Sequence, residues 1–172
     1  NNAGISQFSA QSEQDLANLV QTNLLAPMQL SQLFLPMLIK RSGTLLNVGS
    51  TFGNIGYAGY TGYCASKFGL CGYTEALQRE LADSGVKVLY LAPRATKTAI
   101  NSPAVDAMNK ALGQGVDSPE QVAKAMLRQL EQVEDLIRER IRQQGATPSL
   151  HAAMGRLFLA QASAQGAKEM LL

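Results

Sequence analysis

The sequence predicts an α/β fold in which parallel strands are joined by crossover helices. Three observations predict it. Two short apolar runs, Thr44-Leu45-Leu46-Asn47-Val48 and Val86-Lys87-Val88-Leu89-Tyr90-Leu91-Ala92-Pro93, have the length and composition of strands buried on both faces. A long stretch of helical periodicity precedes each, so helix and strand alternate. The 172 residues are 46% hydrophobic and 16% charged, enough apolar material for the core of one domain.

The elements follow in order. Ser12, with Asp15 three residues on, forms a helix-start signature. Leu16, Leu19, Val20, Asn23, Leu24 and Met28 recur at helical spacing, which predicts a long helix over residues 13–40, kinked or broken near Pro27. Arg41-Ser42-Gly43 ends it and leads into the first strand. A Gly- and Tyr-rich loop is expected from Gly49 to about Gly62. A second helix is expected over residues 63–84, with Phe68, Leu70, Cys71, Tyr73, Leu77 and Leu81 on a wide apolar face and Gly85 as its cap. The second strand is stopped by Pro93. Residues 102–116 are expected to form a loop, and Ser118-Pro119 opens a third helix with room to run past Leu130. Residues 131–172 are expected to be a helical extension, charged at first and Ala-rich from His151 on. Two strands are too few for a doubly covered parallel sheet, and Asn1-Asn2-Ala3-Gly4 resembles the tail of another strand. The sequence is therefore expected to be a single domain, incomplete at its N-terminus.

Composition excludes several classes. Fifteen Lys plus Arg against thirteen Asp plus Glu give a formal net charge of +2, with no basic run to track a nucleic acid. The longest mainly apolar stretch, residues 24–39, is too short for a bilayer span and carries Pro27 and Pro36, so no membrane association is expected. Cys64 and Cys71 cannot build a disulfide framework, and one histidine provides no metal-ligand set. A cytoplasmic setting is expected. Gly49-Ser50-Thr51-Phe52-Gly53 lacks the first glycine of a nucleophile elbow and has no histidine placed to activate the serine, so a hydrolase is not expected.

Tyr63 and Lys67 stand four apart on one helical face. Bringing a phenol from a pKa of about 10 to about 7 takes roughly 4 kcal/mol. A cation about 4 Å away, at an effective dielectric near 20, supplies about that much. Such pairs are common in helices, so position matters more. Ser50 lies at the carboxyl end of the first strand, thirteen residues before Tyr63, where crossover topology gathers ligands. Its hydroxyl is suited to bond a substrate carbonyl oxygen that Tyr63 protonates. Tyr57 and Tyr60 read as loop residues near the substrate mouth.

Asn1-Asn2-Ala3-Gly4, Asn23 after Gln21-Thr22, Asn47-Val48-Gly49-Ser50 and Tyr63-Cys64-Ala65-Ser66-Lys67 resemble, in order, the signature of the short-chain dehydrogenase/reductase family. The resemblance covers residues 1–130. It implies a Rossmann-type doubly wound parallel sheet in a three-layer α/β/α arrangement, represented here by its C-terminal part. It implies hydride transfer between NAD or NADP and a small-molecule carbonyl or alcohol. On that resemblance Tyr63 is the general acid/base, Lys67 lowers its pKa and holds the nicotinamide ribose, Ser50 orients the substrate oxygen, and Asn23 holds a water relaying protons to Lys67. Asn1 and Gly4 match the segment beside the adenosine and ribose, and Pro93, Thr96 and Thr98 the loop over nicotinamide and pyrophosphate. Arg94 departs from the pattern, standing where the family usually has glycine; it either reaches an anionic group or points to solvent. The residues that separate NAD from NADP precede the asparagine pair in the family, so the preference is not legible.

A non-catalytic dinucleotide-binding protein, or a lyase or epimerase on the same fold, would share these motifs. The intact Asn23, Ser50, Tyr63 and Lys67 favour the oxidoreductase. Both long helices are too apolar for one buried face each, and in the family the equivalent helices pair across subunits, which implies a homodimer or homotetramer.

Overall fold

The computed structural model describes residues 1–9, 12–111 and 113–144. The chain enters α1 (Glu13–Val20) through a reciprocal cap, in which Ser12 Oγ accepts from the Asp15 N–H at 3.0 Å and the Asp15 carboxylate accepts from the Ser12 N–H. A π turn, Gln21–Leu25, joins α1 to α2 (Ala26–Arg41). The expected kink takes this form because Pro27 has no N–H to give the Asn23 carbonyl four residues back, and the Ala26 N–H reaches to Gln21 instead. Pro36 is accommodated inside α2. The helix closes on Ser42 in the left-handed region at φ 45°, with the Gly43 N–H donating to the Leu38 carbonyl at 2.8 Å.

Strands β1 (Thr44–Val48) and β2 (Lys87–Leu91) pair in parallel, Thr44 opposite Lys87 through Val48 opposite Leu91. Between them runs α3 (Thr61–Glu80), starting two residues earlier than its periodicity suggests and ending in a turn before Gly85, whose φ of +78° turns the chain into β2. Leu45, Val86 and Val88 from the sheet region and Leu77 and Leu81 from the α3 side form the core, covered by Leu35, Leu38 and Tyr73. Helices α2 and α3 thus share one face of the sheet. The Asn1 backbone runs along the other edge of β1, its nitrogen donating to the Leu46 carbonyl and its carbonyl accepting from the Val48 N–H, both at 2.9 Å. That is the pairing expected of a strand tail.

The segment read as a loop over residues 102–116 contains a helix, α4 (Pro103–Ala111), and α5 (Pro119–Gln144) follows. Ser118 opens α5 as expected, accepting at Oγ from the Gln121 N–H while the Gln121 side chain accepts from the Ser118 N–H. Gln129 ties α5 to the back of β2 through the Tyr90 carbonyl, 3.3 Å away. The Ala-rich stretch with His151 lies outside the described residues. No described helix is long and apolar enough to cross a membrane.

Candidate active site

The carboxyl ends of β1 and β2 open into a cleft of 690 Å³. β1 delivers Ser50, extended at φ −166° and capping the 3-10 turn Thr51–Gly53. Ser50 Oγ accepts from the Phe52 N–H at 3.2 Å, which leaves the hydroxyl proton to donate elsewhere. The first two turns of α3 deliver Tyr63 and Lys67 to the same cleft. Gly4, Pro93, Thr96 and Thr98 also line it. Asn1 does not: its side chain turns inward to Asn47 Oδ1 at 2.8 Å and Ser31 Oγ at 3.2 Å, and Asn2 reaches the cleft instead.

Asn23 is fully buried in the π turn behind Gly4. Its amide accepts from the Ile5 N–H and donates to the Ile5 carbonyl, each at 2.8 Å, and donates to Ser66 Oγ at 3.1 Å. The side chain therefore fixes the N-terminal segment against α3. A water held by Asn23 would fall to its backbone carbonyl, which Pro27 leaves without the usual helical donor.

Lys67 is 5% exposed, and its ammonium donates to the Val48 carbonyl at 3.2 Å. Burial pulls its pKa from 10.5 down to about 8. The ammonium lies 5.8 Å from the centre of the Tyr63 ring. Tyr63 departs from the sequence-based expectation. Burial raises its pKa, with the Ser50 hydroxyl acting in the opposite direction, and Lys67 does not bring it below the ordinary value. Spacing shows that the two groups share a face. It does not show that both are withdrawn from water, and desolvation disfavours the phenolate as well as the ammonium.

One wall is aromatic. Phe52 stacks on Tyr57 with centroids 5.0 Å apart and contacts Tyr60 at 5.1 Å, and Tyr60 in turn meets Tyr63 at 5.9 Å and Phe8 at 5.3 Å. Tyr60, expected near the mouth, is only 4% exposed and forms the middle of this cluster. Arg94 reaches an anionic group, as one of its two expected roles had it, while its side chain stays largely exposed. It makes a two-point contact with Asp117, Nε to Oδ2 at 3.2 Å and Nη2 to Oδ1 at 2.5 Å, which holds the Asp117 carboxyl below its usual range. Backbone bonds from Asp117 to Ala95 and from Lys97 to Asp117 join the same two loops. The roles of Phe52, Asp117 and Ser66 were not legible beforehand: Ser66 and Asp117 act through contacts with distant segments, at Asn23 and Arg94, and Phe52 through the folding of its own loop onto Ser50 and Tyr57.

A parallel sheet with a helical crossover, and a serine, a tyrosine and a lysine converging at the strand ends, define a Rossmann-like α/β dehydrogenase architecture. Residues 1–109 match the family model for short chain dehydrogenases, and the chain belongs to that family. It is 38% identical over 106 residues to human (Homo sapiens) retinol dehydrogenase 16, covering 59% of this chain and 33% of that protein. It is 39% identical over 97 residues to the 3-oxoacyl-(acyl-carrier-protein) reductase FabG of Vibrio cholerae serotype O1, covering 54% and 40%. The chain thus spans about a third to two fifths of the length of these curated relatives. A solved 4-hydroxyisoleucine dehydrogenase, complexed with NADH and succinate, shares the fold with a TM-score of 0.63 at 23% identity, over 72% of this chain and 55% of that one.

Proposed function

We propose that the protein is an oxidoreductase that interconverts a carbonyl and an alcohol with NAD or NADP, in a reducing compartment such as the cytoplasm and as a homodimer or homotetramer. The observation that carries this reading is the convergence of Ser50, Tyr63 and Lys67 on one cleft beside Gly4. A buried ammonium has three N–H donors, and Val48 takes one. A Cβ on Gly4 would lie 3.6 Å from Lys67 Nζ, so the glycine leaves an approach to the ammonium that a side chain would fill. These residues fit a polyol such as the ribose of a nicotinamide dinucleotide, held by Lys67 with Thr96 and Thr98 along the loop beyond. Such a cofactor supplies the hydride.

The chain's own residues handle the proton. Ser50, held by the Phe52 N–H, donates its hydroxyl proton to the substrate oxygen. Tyr63, with its pKa raised, is a neutral phenol at pH 7 and delivers a proton to that oxygen as it gains electron density. Reduction is the direction this protonation state serves directly. Oxidation requires the phenolate and is expected to speed up as pH rises above neutrality. The substrate reading is a neutral, largely apolar carbonyl compound: the wall is formed by Phe52, Ile55, Tyr57 and Met108, and the two charged side chains described there, Lys67 and Arg94, are engaged by Val48 and Asp117.

The test is consumption of NADH or NADPH by the intact protein against neutral aryl and alkyl ketones and aldehydes. Tyr63→Phe is expected to lower kcat by about a thousandfold or more while circular dichroism stays unchanged. Near-full turnover in that variant would discard the acid/base role. Product formation without net cofactor consumption would point to lyase or epimerase chemistry.

A further inference from the structure

Tyr90 takes no part in the chemistry above, yet it lies at the joint between the segments that carry it. It projects from β2 two residues beyond Val88, on the sheet face that meets α3. Its hydroxyl reaches past two glycines. A Cβ on Gly49 would overlap the Tyr90 hydroxyl and ring, and a Cβ on Gly53 would overlap the same hydroxyl and stand 3.0 Å from the Lys67 carbonyl oxygen. The phenol therefore fills a slot with the Ser50-bearing segment on one side and Cys71 of α3 on the other, while Gly53 itself packs close to the Lys67 carbonyl. Two backbone bonds pin that segment to the exit of β2, Gly49 N–H to the Leu91 carbonyl at 2.7 Å and Thr51 N–H to the Pro93 carbonyl at 3.0 Å. With those pins in place, the remaining slack lies along the Tyr90 side chain.

The Tyr90 hydroxyl oxygen is buried and short of a well-formed hydrogen bond, with the Ser50 backbone and the Cys71 side chain of α3 as its polar neighbours. Burial pushes its pKa up to about 12, so it stays a neutral phenol. A phenylalanine would fill the ring space without desolvating a hydroxyl. What the tyrosine adds is a hydroxyl standing between the Ser50 backbone and Cys71 of α3, at the point where Gly49 and Gly53 admit it.

We propose that Tyr90 is a positioning residue whose phenol acts as a spacer between the Gly49–Gly53 segment and α3, setting the separation of the Ser50 hydroxyl from the Tyr63 hydroxyl. The proposal rests on the oxidoreductase reading for its catalytic consequence and on geometry alone for the spacer. In the intact protein, Tyr90→Phe is expected to lower kcat about tenfold with KM within about twofold, since a displacement of order 1 Å can cost up to about a hundredfold. In a Ser50→Ala background the same change is expected to cost nothing further, because the spacer acts through Ser50. Equal losses in both backgrounds, or no loss in either, would overturn the proposal. Crystal structures of the wild type and Tyr90→Phe give the second readout. A shift of Ser50 Oγ relative to Tyr63 Oη by about 0.5 Å or more supports the spacer, and an unmoved Ser50 overturns it. Wild-type protein inactive with every carbonyl would defeat the oxidoreductase reading, and the crystallographic comparison would still decide the spacer.

Discussion

Lys67 shows how a single side chain trades stability for readiness. The unfolded chain keeps its proton up to a pH near 10.5, whereas the folded protein releases it above about 8. Below pH 8 both states are charged and the full cost of burying the ammonium is present. Between 8 and 10 the unfolded state binds more protons, so folding stability rises with pH across that window. The gap corresponds to order 3 kcal/mol. Lys67→Met, which keeps the stem and removes the charge, is therefore expected to be more stable than wild type at pH 7 by about 1–3 kcal/mol, after allowing for the bond lost at Val48. Chemical denaturation at pH 7 and pH 9.5 checks it: the wild type gains stability with pH and the variant does not. Equal pH dependence in both would mean that Lys67 is solvated. Lys67→Ala is expected to lose both turnover and dinucleotide affinity. The pairing of Tyr63 with Lys67 was legible from four-residue spacing. The sign of the Tyr63 shift was not, because it depends on how much water the rest of the fold removes, and spacing carries no record of that.

At the scale of elements, local chemistry was the most legible part. Ser12 with Asp15, and Ser118 with Pro119, open helices where the sequence places them, since a cap needs only a few neighbouring residues to agree. Pro27 announced a disturbance, but whether it would bend, break or widen the helix depended on Asn23 finding Ile5 and Ser66, both remote in sequence. Helix α4 was missed although Ser102 and Pro103 mark its start, because nine residues with Asp106, Asn109 and Lys110 among them give a short, diluted period. The wide turn leads to a stability prediction. Asn23→Ala would leave the Ile5 N–H and carbonyl, in part-buried bonds, without their side-chain partner and strip one buried bond from Ser66. The expected loss is about 1–3 kcal/mol, read from urea unfolding, because three hydrogen bonds of about 0.5–1.5 kcal/mol each are lost while water can reach the Ile5 groups. Asn23→Asp keeps an acceptor for the Ile5 N–H but sets a carboxylate oxygen against the Ile5 carbonyl in a fully buried site, and is expected to lose at least as much as the alanine variant. A loss below about 0.5 kcal/mol for the alanine variant would show that these bonds do not hold the N-terminal segment.

At the scale of the whole molecule, both described strands and their parallel pairing were readable, because period, length and the helix between them agree. What the sequence showed only as excess apolarity, the structure resolves into a stripe. No charged residue separates Asp15 from Lys40. Within that span Leu35 and Leu38 turn to the core, while Leu30, Leu33, Phe34 and Met37 stay exposed at helical spacing, Leu33 to 72%, with Phe68 of α3 exposed as well. A row of large apolar side chains at i, i+3, i+4 and i+7 is the pattern of a helix with a second partner. The proposed occupant is the same stripe of a second copy, since a two-fold pairing sets an uncharged surface against itself without any opposing charge to match. In the intact protein, size exclusion with light scattering is expected to give a dimer or tetramer mass. Leu33→Lys together with Phe34→Lys is expected to shift it to monomer while leaving far-ultraviolet circular dichroism unchanged, because both side chains point away from the core and four like charges would face one another across the two-fold. A wild-type monomer would mean that the stripe is covered within one protein. An oligomer indifferent to both substitutions would place the subunit contact elsewhere and leave the α2 stripe without the role assigned to it.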